Sequence, residues 1–295
     1  MSSLLLQLRR IRNSIVWEWI KRKSPTDIAH YALKLAAANE TSNAWKLLDK
    51  GIILYPRNTE LIAAMRVIPN HYDAGFYEQY ETGCLRSARE MLQILAAVYP
   101  FRSVVDVGAG VGTWLRAAAE HGAEDLVGIE GNWVKDNGNR FGGADYVYAD
   151  LNAPLSIDRR FDLAISVEVA EHLNPDRSQG LVEGICRCSD VVIFGAAMPR
   201  QHGSAHINGR PHSFWIDLFE KQGFVCLDPF RPKVWYNSSV YPWYAQNTFL
   251  FVAETTRSRF ASLPPATLVN VYHPLLVNRL VQDDVKAGVF DPAST

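Results

Sequence analysis

The sequence has few cysteines, almost no net charge and no long apolar run, and each absence excludes a class of protein. Four cysteines occur among 295 residues, and the one close pair is a C-x-C rather than the C-x-x-C of a zinc knuckle. We therefore expect free thiols and no disulfide framework. The formal net charge of −1 lacks the basic excess of most nucleic-acid-binding proteins, so no DNA partner is expected.

Apolar segments are also short. None reaches the ~20 residues that a membrane-spanning helix requires, and the first residues lack the apolar core of a signal peptide. The sequence therefore predicts no transmembrane segment and a cytoplasmic location. Hydrophobic residues make up 48% and charged residues 21% of the chain, which is typical of a globular protein with a sizeable core.

Residues 1–70 are predicted to form an N-terminal helical region. Residues 1–24 place leucines, isoleucines and Trp19 at helical spacing beside six basic residues, which indicates a basic amphipathic helix. Such a helix either packs on its own domain or contacts an anionic membrane surface or a protein partner. Two further helical patterns follow at Ile28–Asn39 and Ser42–Leu54, and a third begins at Thr59.

The most informative segment is 101–130, FRSVVDVGAGVGTWLRAAAEHGAEDLVGIE. A short β-branched run ends near Asp106, and three glycines then lead into a helical pattern that begins at Thr113. Glycine lets the backbone approach a ligand closely, and a helix N-terminus offers N–H groups to it. A second predicted strand ends at Glu130, where a carboxylate can accept both hydrogen bonds of a ribose diol. This segment therefore predicts a nucleotide-cofactor pocket.

The glycine spacing separates two classes of cofactor. Dinucleotide-binding folds use G-x-G-x-x-G, whereas this chain has G-x-G-x-G, with Thr113 at the third glycine position of the dinucleotide pattern. The spacing disfavours a dinucleotide-dependent oxidoreductase.

Strand and helix patterns alternate on both sides of the glycines. Strands are predicted at 103–107, 126–130, 145–148, 161–167, 190–195, 224–230 and 246–253, and helices at 85–98, 113–121, 178–187 and 213–222. This alternation predicts an α/β fold with a doubly wound, mostly parallel, Rossmann-like sheet. We expect a catalytic domain over 71–255, with the aromatic segment His71–Glu81 as a lid over the cofactor. A proline-rich, irregular extension is expected over 256–295.

From about Tyr72 to Val252 the sequence resembles class I S-adenosylmethionine-dependent methyltransferases, and more narrowly a bacterial group of methyltransferase-domain proteins. The stretches that carry the resemblance are SVVDVGAGVGTWL, GIEGNWV, FDLAISVEVAEHL, the A-x-P-x-Q-x-G-x-x-H-x-N run at Ala197–Asn208, and WYAQNTFLFV.

The resemblance implies a set of cofactor residues. The glycine turn with Asp106 would hold the methionine part, Glu130 the ribose, and Asp150 with Leu151 the adenine. Asp150 also suits a turn-capping role. The full implied set is Asp106, Gly108, Ala109, Gly110, Gly112, Trp114, Glu130, Gly131, Asp150, Leu151 and Glu168.

A second cluster follows the fourth predicted strand. Glu168, Glu171 and His172 fall at the carboxyl edge of the sheet, where open α/β folds bind ligands. Their E-x-x-E-H spacing is similar to that of metal-dependent O-methyltransferases, which implies a Mg²⁺ or Mn²⁺ site completed by His206 or His212. His206 is preferred because it lies in the run shared with the bacterial group. In the metal-free alternative His206 is the general base, and Glu171 with His172 positions the substrate or the cofactor.

These features predict transfer of a methyl group to a hydroxyl of a small molecule, such as a sugar, a glycoconjugate or a secondary metabolite. Two alternatives stay open. An RNA-ribose methyltransferase would need a basic groove, and a non-enzymatic partner-binding protein would have a vestigial cofactor pocket. Gly209–His212 departs from the bacterial group, which leaves the choice of substrate open.

Overall fold

The computed structural model describes residues 13–55, 58–68, 74–132, 134–135, 141–201, 203 and 205–287. The chain divides into two compact units. The first, which we call the helical unit, takes in the described residues of Met1–Tyr72, Arg200–Ile207 and Pro274–Thr295. The second, the sheet unit, comprises Asp73–Pro199 and Asn208–His273. The domain limits expected from the sequence stay a prediction.

The helical unit contains the described helices Asn13–Ile20, Pro25–Ala37, Thr41–Leu54, Thr59–Val67 and Pro274–Ala287. Their starting points follow from side-chain caps. Ser24 Oγ accepts a hydrogen bond from the Asp27 N–H, and the Asp27 carboxylate accepts one from the Ser24 N–H, which forms a capping box in front of Pro25. The three predicted helical patterns are confirmed within a few residues. Residues 1–12 of the predicted basic helix lie outside the described residues.

The sheet unit is built on seven strands within its described residues. They are β1 (Ser103–Val107), β2 (Asp125–Glu130), β3 (Asp145–Tyr148), β4 (Leu163–Val167), β5 (Val191–Gly195), β6 (Phe224–Leu227) and β7 (Thr248–Ala253). Their order across the sheet is β3-β2-β1-β4-β5-β7-β6. The first five are parallel, and β7 runs antiparallel between β5 and β6. The predicted doubly wound, mostly parallel sheet is confirmed.

Both faces of this sheet are covered, as the apolar strands require. Val104 of β1 belongs to one core cluster, with Leu115 of the helix Thr113–Glu120. The next residue, Val105, points to the opposite cluster, with Ile185 of the helix Ser178–Cys188. This alternation places β1 in the middle of the core and brings its carboxyl end to the edge of the sheet.

Several elements have other boundaries than the sequence predicts. The helix before β1 spans Ala74–Ala96, so residues 74–81 of the expected lid are helical and continue into that helix, while residues 71–73 lie outside the described part. β7 begins at Thr248 because Pro242–Asn247 forms a short helix. β6 ends at Leu227 because Asp228 starts a turn, in which its Oδ1 accepts from the Arg231 N–H.

The segment 264–273, which we call the strap, belongs to the extension over 256–295 that the sequence predicts to be irregular. It has no helix, but it is attached to the sheet unit by buried polar groups. The Arg231 guanidinium, 5% exposed, donates to the carbonyls of Leu268 and Val269. The Asp228 N–H donates to Pro264 O at 3.0 Å. None of the described helices is long and apolar enough to cross a membrane.

Candidate functional site

The turn after β1 is formed by the three glycines. Gly108 has φ +88°, Gly110 φ +53° and Gly112 φ +88°, a region that glycine adopts without the steric cost of a Cβ. The Gly108 N–H donates to Ile129 O at 2.8 Å, which ties the turn to the end of β2. A Cβ on Gly108 would lie 2.3 Å from Val169 Cγ2, so the turn packs directly on the loop after β4.

Glu130 supports this turn from β2. Its two carboxylate oxygens accept hydrogen bonds from the Gly110 N–H at 2.9 Å and from the Gly131 N–H at 2.7 Å. The Tyr146 hydroxyl donates to Gly110 O at 3.1 Å from the next strand. An ionised carboxylate has about four lone-pair sites, so the backbone contacts orient Glu130 and are compatible with acceptance of a ribose diol.

The helix that follows the turn begins without a side-chain cap, since its N-cap is Gly112. Its first N–H groups therefore suit a polar ligand placed at the turn. The second residue of the helix, Trp114, is buried, and its ring centroid lies 5.5 Å from that of Tyr244 in an edge-on contact. The Trp114 Nε1 has no hydrogen-bond partner within the described part of the chain. A role for Trp114 in cofactor binding stays a prediction.

Asp106 lies at the centre of this arrangement and is 2% exposed. Burial, together with the negative charge of Glu130, raises the pKa of Asp106 well above its usual range. The carboxyl therefore holds its proton more tightly than an exposed aspartate does, and it can donate a hydrogen bond when protonated.

At the end of β3, Asp150 and Leu151 have different environments. Leu151 is buried, whereas Asp150 is exposed, and its Oδ1 accepts from the Asn152 N–H at 2.8 Å. This contact is the turn-capping role that the sequence also allowed. Adenine binding by Asp150 and Leu151 stays a prediction.

The loop after β4 carries two acidic residues. Glu168 has φ +58°, which is costly for a residue with a side chain, and its N–H donates to Gly195 O at 2.9 Å. Its Oε1 accepts from Asn247 Nδ2 at 2.7 Å. The backbone at Glu168 is therefore held in a strained form while its carboxylate is held by a buried amide.

Glu171 lies in the 3₁₀ turn Ala170–His172 and is fully buried. Neither of its carboxylate oxygens has a hydrogen-bond partner among the described residues. Burial and the charge of Glu168 raise the pKa of Glu171 well above its usual range. A ring nitrogen of His172 lies within 4.8 Å of a Glu171 oxygen, so the two groups are close enough to interact through a water or a small conformational change.

Asn208 holds this turn in place and was not among the predicted site residues. Its N–H donates to Glu171 O at 2.9 Å, and its Nδ2 donates to Ala170 O at 3.1 Å. The signal was available in the sequence, because Asn208 closes the run that resembles the bacterial group.

His206 belongs to the helical unit, unlike the other predicted metal ligands. Its neighbour Ala205 is buried in the core of that unit and donates its N–H to Asp49 Oδ1 at 3.3 Å. His206 Nδ1 lies 3.0 Å from Gln201 O, a contact that places the ring proton on Nδ1 and leaves Nε2 as the basic nitrogen. The set Glu168, Glu171, His172 and His206 is thus divided between the units, and the metal site stays a prediction.

Comparison with known proteins identifies the kind of domain. Residues 55–189, a little less than half of the chain, match a family described as "Methyltransferase domain". The chain carries a class I S-adenosylmethionine-dependent methyltransferase domain. The glycine turn and Glu130 lie within the matched range, and the resemblance drawn from the sequence is confirmed. The protein is accordingly an S-adenosylmethionine-dependent methyltransferase, whose acceptor the match does not identify.

Solved structures show distant likenesses to this methyltransferase. DesVI of Streptomyces venezuelae is 13% identical, with a TM-score of 0.48 over 63% of this chain and 99% of that one. A TehB-like methyltransferase from Corynebacterium glutamicum is 17% identical, with a TM-score of 0.45 over 61% of this chain and 98% of that one. A methyltransferase from Mesorhizobium loti is 19% identical, with a TM-score of 0.41 over 57% and 98%. These likenesses are too distant to indicate an acceptor. Among curated proteins no significant match is found.

The packing of Gly108 on Val169 predicts a specific stability defect. Gly108→Ala combines a positive φ with a Cβ contact of 2.3 Å, whereas Gly122→Ala has φ +94° and open space around its Cβ. We expect Gly122→Ala to lower the free energy of unfolding by ~1–2 kcal/mol, and Gly108→Ala to cost ~1–3 kcal/mol more. Denaturant unfolding measures both. Val169→Ala in the Gly108→Ala background should recover part of the loss, and equal costs at the two glycines would contradict the contact.

The buried Asp106 predicts a pH-dependent change in stability. Its pKa is raised on folding, so the folded protein binds more protons than the unfolded chain and loses stability as pH rises above the unfolded pKa of about 3.8. Asp106→Asn removes this loss. We expect thermal unfolding without ligand to show the variant gaining stability, relative to the original protein, from pH 5 to pH 8.

Asp162→Asn is the matched control. Desolvation is the largest single influence on the pKa of Asp162 and raises it. Hydrogen bonds from the N–H groups of Arg102 and Ser103, at 2.8 and 2.9 Å, together with Ser103 Oγ and the charge of Arg259, outweigh it and lower the pKa. Because Asp162 is ionised at both pH 5 and pH 8, the cost of Asp162→Asn should be the same at the two values. A constant difference for Asp106→Asn as well would show that its carboxyl is not held protonated.

Proposed function

We propose that this methyltransferase transfers the methyl group of S-adenosylmethionine to a hydroxyl of a small neutral molecule, such as a sugar, a glycoconjugate or a secondary metabolite. The observation that carries the proposal is the concentration of carboxyl groups at the ends of β1, β2 and β4. Asp106, Glu130, Glu168 and Glu171 follow or end these strands. Such an edge attracts hydroxyl groups and repels phosphates, which favours a neutral acceptor over the RNA ribose.

Methyl transfer requires few functional groups from the protein. S-adenosylmethionine supplies an activated methyl group, so the chain has to align the acceptor oxygen at roughly 3 Å from that carbon and remove its proton. His172 is half-buried and lies next to the covered Glu171 carboxyl. His206, the base predicted from the sequence, belongs to the helical unit, so we assign proton removal to His172 of the sheet unit, with Glu171 as the group that orients and supports the ring.

A divalent cation is the other way to activate a hydroxyl. Carboxylate and imidazole groups are suitable ligands for Mg²⁺ or Mn²⁺. The two carboxylate oxygens of Glu171 have no hydrogen-bond partner among the described residues and are ligands of this type. Glu168, Glu171 and His172 would supply ligands from the sheet unit, and His206 is the fourth predicted from the sequence. The ion would lower the pKa of the bound hydroxyl.

Cofactor binding is the first prediction. Calorimetric titration with S-adenosylhomocysteine should give saturable binding, and Glu130→Ala should weaken it by ~1–3 kcal/mol because the ribose diol loses its acceptor. Glu124→Ala is the control. Its side chain is 76% exposed and pairs only with Arg102 on the surface, so the affinity should not change. Absence of binding by the unaltered protein would refute the proposed function.

Methyl transfer is the second prediction. With labelled S-adenosylmethionine and a panel of sugars, glycosides, catechols and a short RNA, we expect transfer to a neutral hydroxyl compound. His172→Gln and Glu171→Gln should each lower transfer by ~10²–10⁴-fold while binding of S-adenosylhomocysteine stays within about twofold.

Parallel assays separate the two routes. Loss of transfer with EDTA and recovery with Mn²⁺ or Mg²⁺ would establish the metal route, in which His206→Gln also lowers transfer. Transfer that EDTA leaves intact would exclude the metal. Methylation of the RNA alone would refute the small-molecule acceptor.

A further inference from the structure

A chain of buried amides runs from the strap to Glu168. Asn247 ends the short helix before β7 and is 1% exposed, and its Nδ2 donates to Glu168 Oε1 at 2.7 Å. Gln246 beside it is fully buried and donates from Nε2 to Asn247 Oδ1 at 2.9 Å. Gln246 Oε1 in turn accepts from the backbone N–H of His273 at 2.7 Å.

The orientation of both amides follows from this chain. The His273 N–H is always a donor, so the Gln246 atom that faces it is the oxygen, and Gln246 Nε2 faces Asn247. Asn247 therefore presents its oxygen to Gln246 and its Nδ2 to the Glu168 carboxylate. A reversed Asn247 would place two N–H groups together and an oxygen against a carboxylate. This orientation gives each contact along the chain from His273 to Glu168 one donor and one acceptor.

His212 makes a second contact with the same amide. It is 3% exposed, and its Nε2 lies 3.2 Å from Asn247 Oδ1. Its Nδ1 lies 2.8 Å from Val269 O, a carbonyl of the strap that Arg231 also binds. Both partners are acceptors. Burial lowers the pKa of His212, which favours the neutral ring, and a neutral ring has one N–H to donate to one of the two. The ring lies between the strap and Asn247.

Glu168 lies close to the turn expected to hold the methionine part of the cofactor. β4 pairs in parallel with β1, with Ile165 opposite Asp106, so the residues after each strand meet at one edge. The next residue, Val169, fills the space beside Gly108. A carboxylate at this position complements the ammonium group of a bound amino-acid moiety.

We propose that Asn247 and His212 are positioning residues, which hold the Glu168 carboxylate for the ammonium group of the methionine part of the cofactor. The inference rests on the proposed function, because it needs a bound S-adenosyl compound. The two amide residues are noticeable in the sequence, since Gln246 and Asn247 interrupt the otherwise aromatic and apolar run WYAQNTFLFV.

Two probes test the proposal by calorimetry. S-adenosylhomocysteine contains the amino-acid moiety, and 5′-methylthioadenosine lacks it. Asn247→Asp keeps the shape of the side chain and the oxygen that faces Gln246 and His212, but it replaces the Nδ2 donor by an oxygen. We expect Asn247→Asp to weaken S-adenosylhomocysteine by about tenfold, on the scale of one charge-assisted hydrogen bond, and to leave 5′-methylthioadenosine within about twofold.

His212 has a matched control in the strap. His212→Phe should weaken S-adenosylhomocysteine selectively, and His212→Gln, which keeps a donor, should restore part of the affinity. His273 Nε2 lies 2.7 Å from Trp235 O and its backbone N–H is unaffected by substitution, so His273→Phe perturbs the strap without touching Asn247. We expect His273→Phe to leave both affinities within about twofold.

A double-mutant cycle distinguishes positioning from a general loss of structure. If Asn247 acts through Glu168, Glu168→Gln alone should lose about as much affinity as Asn247→Asp, and combining the two should lose little more. Equal weakening of both probes, additive losses, or an effect of His273→Phe equal to that of His212→Phe would overturn the proposal. Failure of the unaltered protein to bind either probe would instead refute the proposed function.

Discussion

The parallel pairing of β1 with both β2 and β4 is the constraint on which the candidate site depends. In this register Asp106 lies opposite Gly128 on one side and Ile165 on the other. Because parallel strands end at the same edge, the three chain segments that leave these strands must share a small volume. The glycine turn, Glu130 and Glu168 are brought together by this geometry and not by any direct attraction among their side chains.

Acidic groups placed so close together are expensive to bury. The fold offsets part of the cost with backbone hydrogen bonds, as at Glu130, and part by raising the pKa of a carboxyl, as at Asp106. Glu168 adds backbone strain at its positive φ. Desolvation and backbone strain are concentrated at functional sites, because groups that bind a ligand make fewer hydrogen bonds within the protein itself.

The strand, the glycine turn and the helix that follows it could be predicted from the sequence. A β-branched run, three glycines and a helical pattern are short-range signals, and the predicted turn and strands around them are confirmed. The start of the helix Ala74–Ala96 and the attachment of the strap could not be read in this way. The strap is fixed by Arg231 and His212, which lie more than thirty residues away in sequence, and the buried side chains that receive it give no periodic pattern.

His206 and His212, which both follow β5 in the chain, show what the sequence decides and what the fold decides. Sequence alone indicated the cofactor class, because glycine spacing and a carboxylate at the end of the next strand are local requirements of that pocket. It preferred His206 to His212 as the fourth ligand only because His206 lies in the run shared with the bacterial group, since the two are equivalent as residue types. The tertiary structure buries His212 against Asn247 within the sheet unit and places His206 in the helical unit. Burial and hydrogen-bond partners come from packing between distant segments, so the roles of such residues depend on the fold.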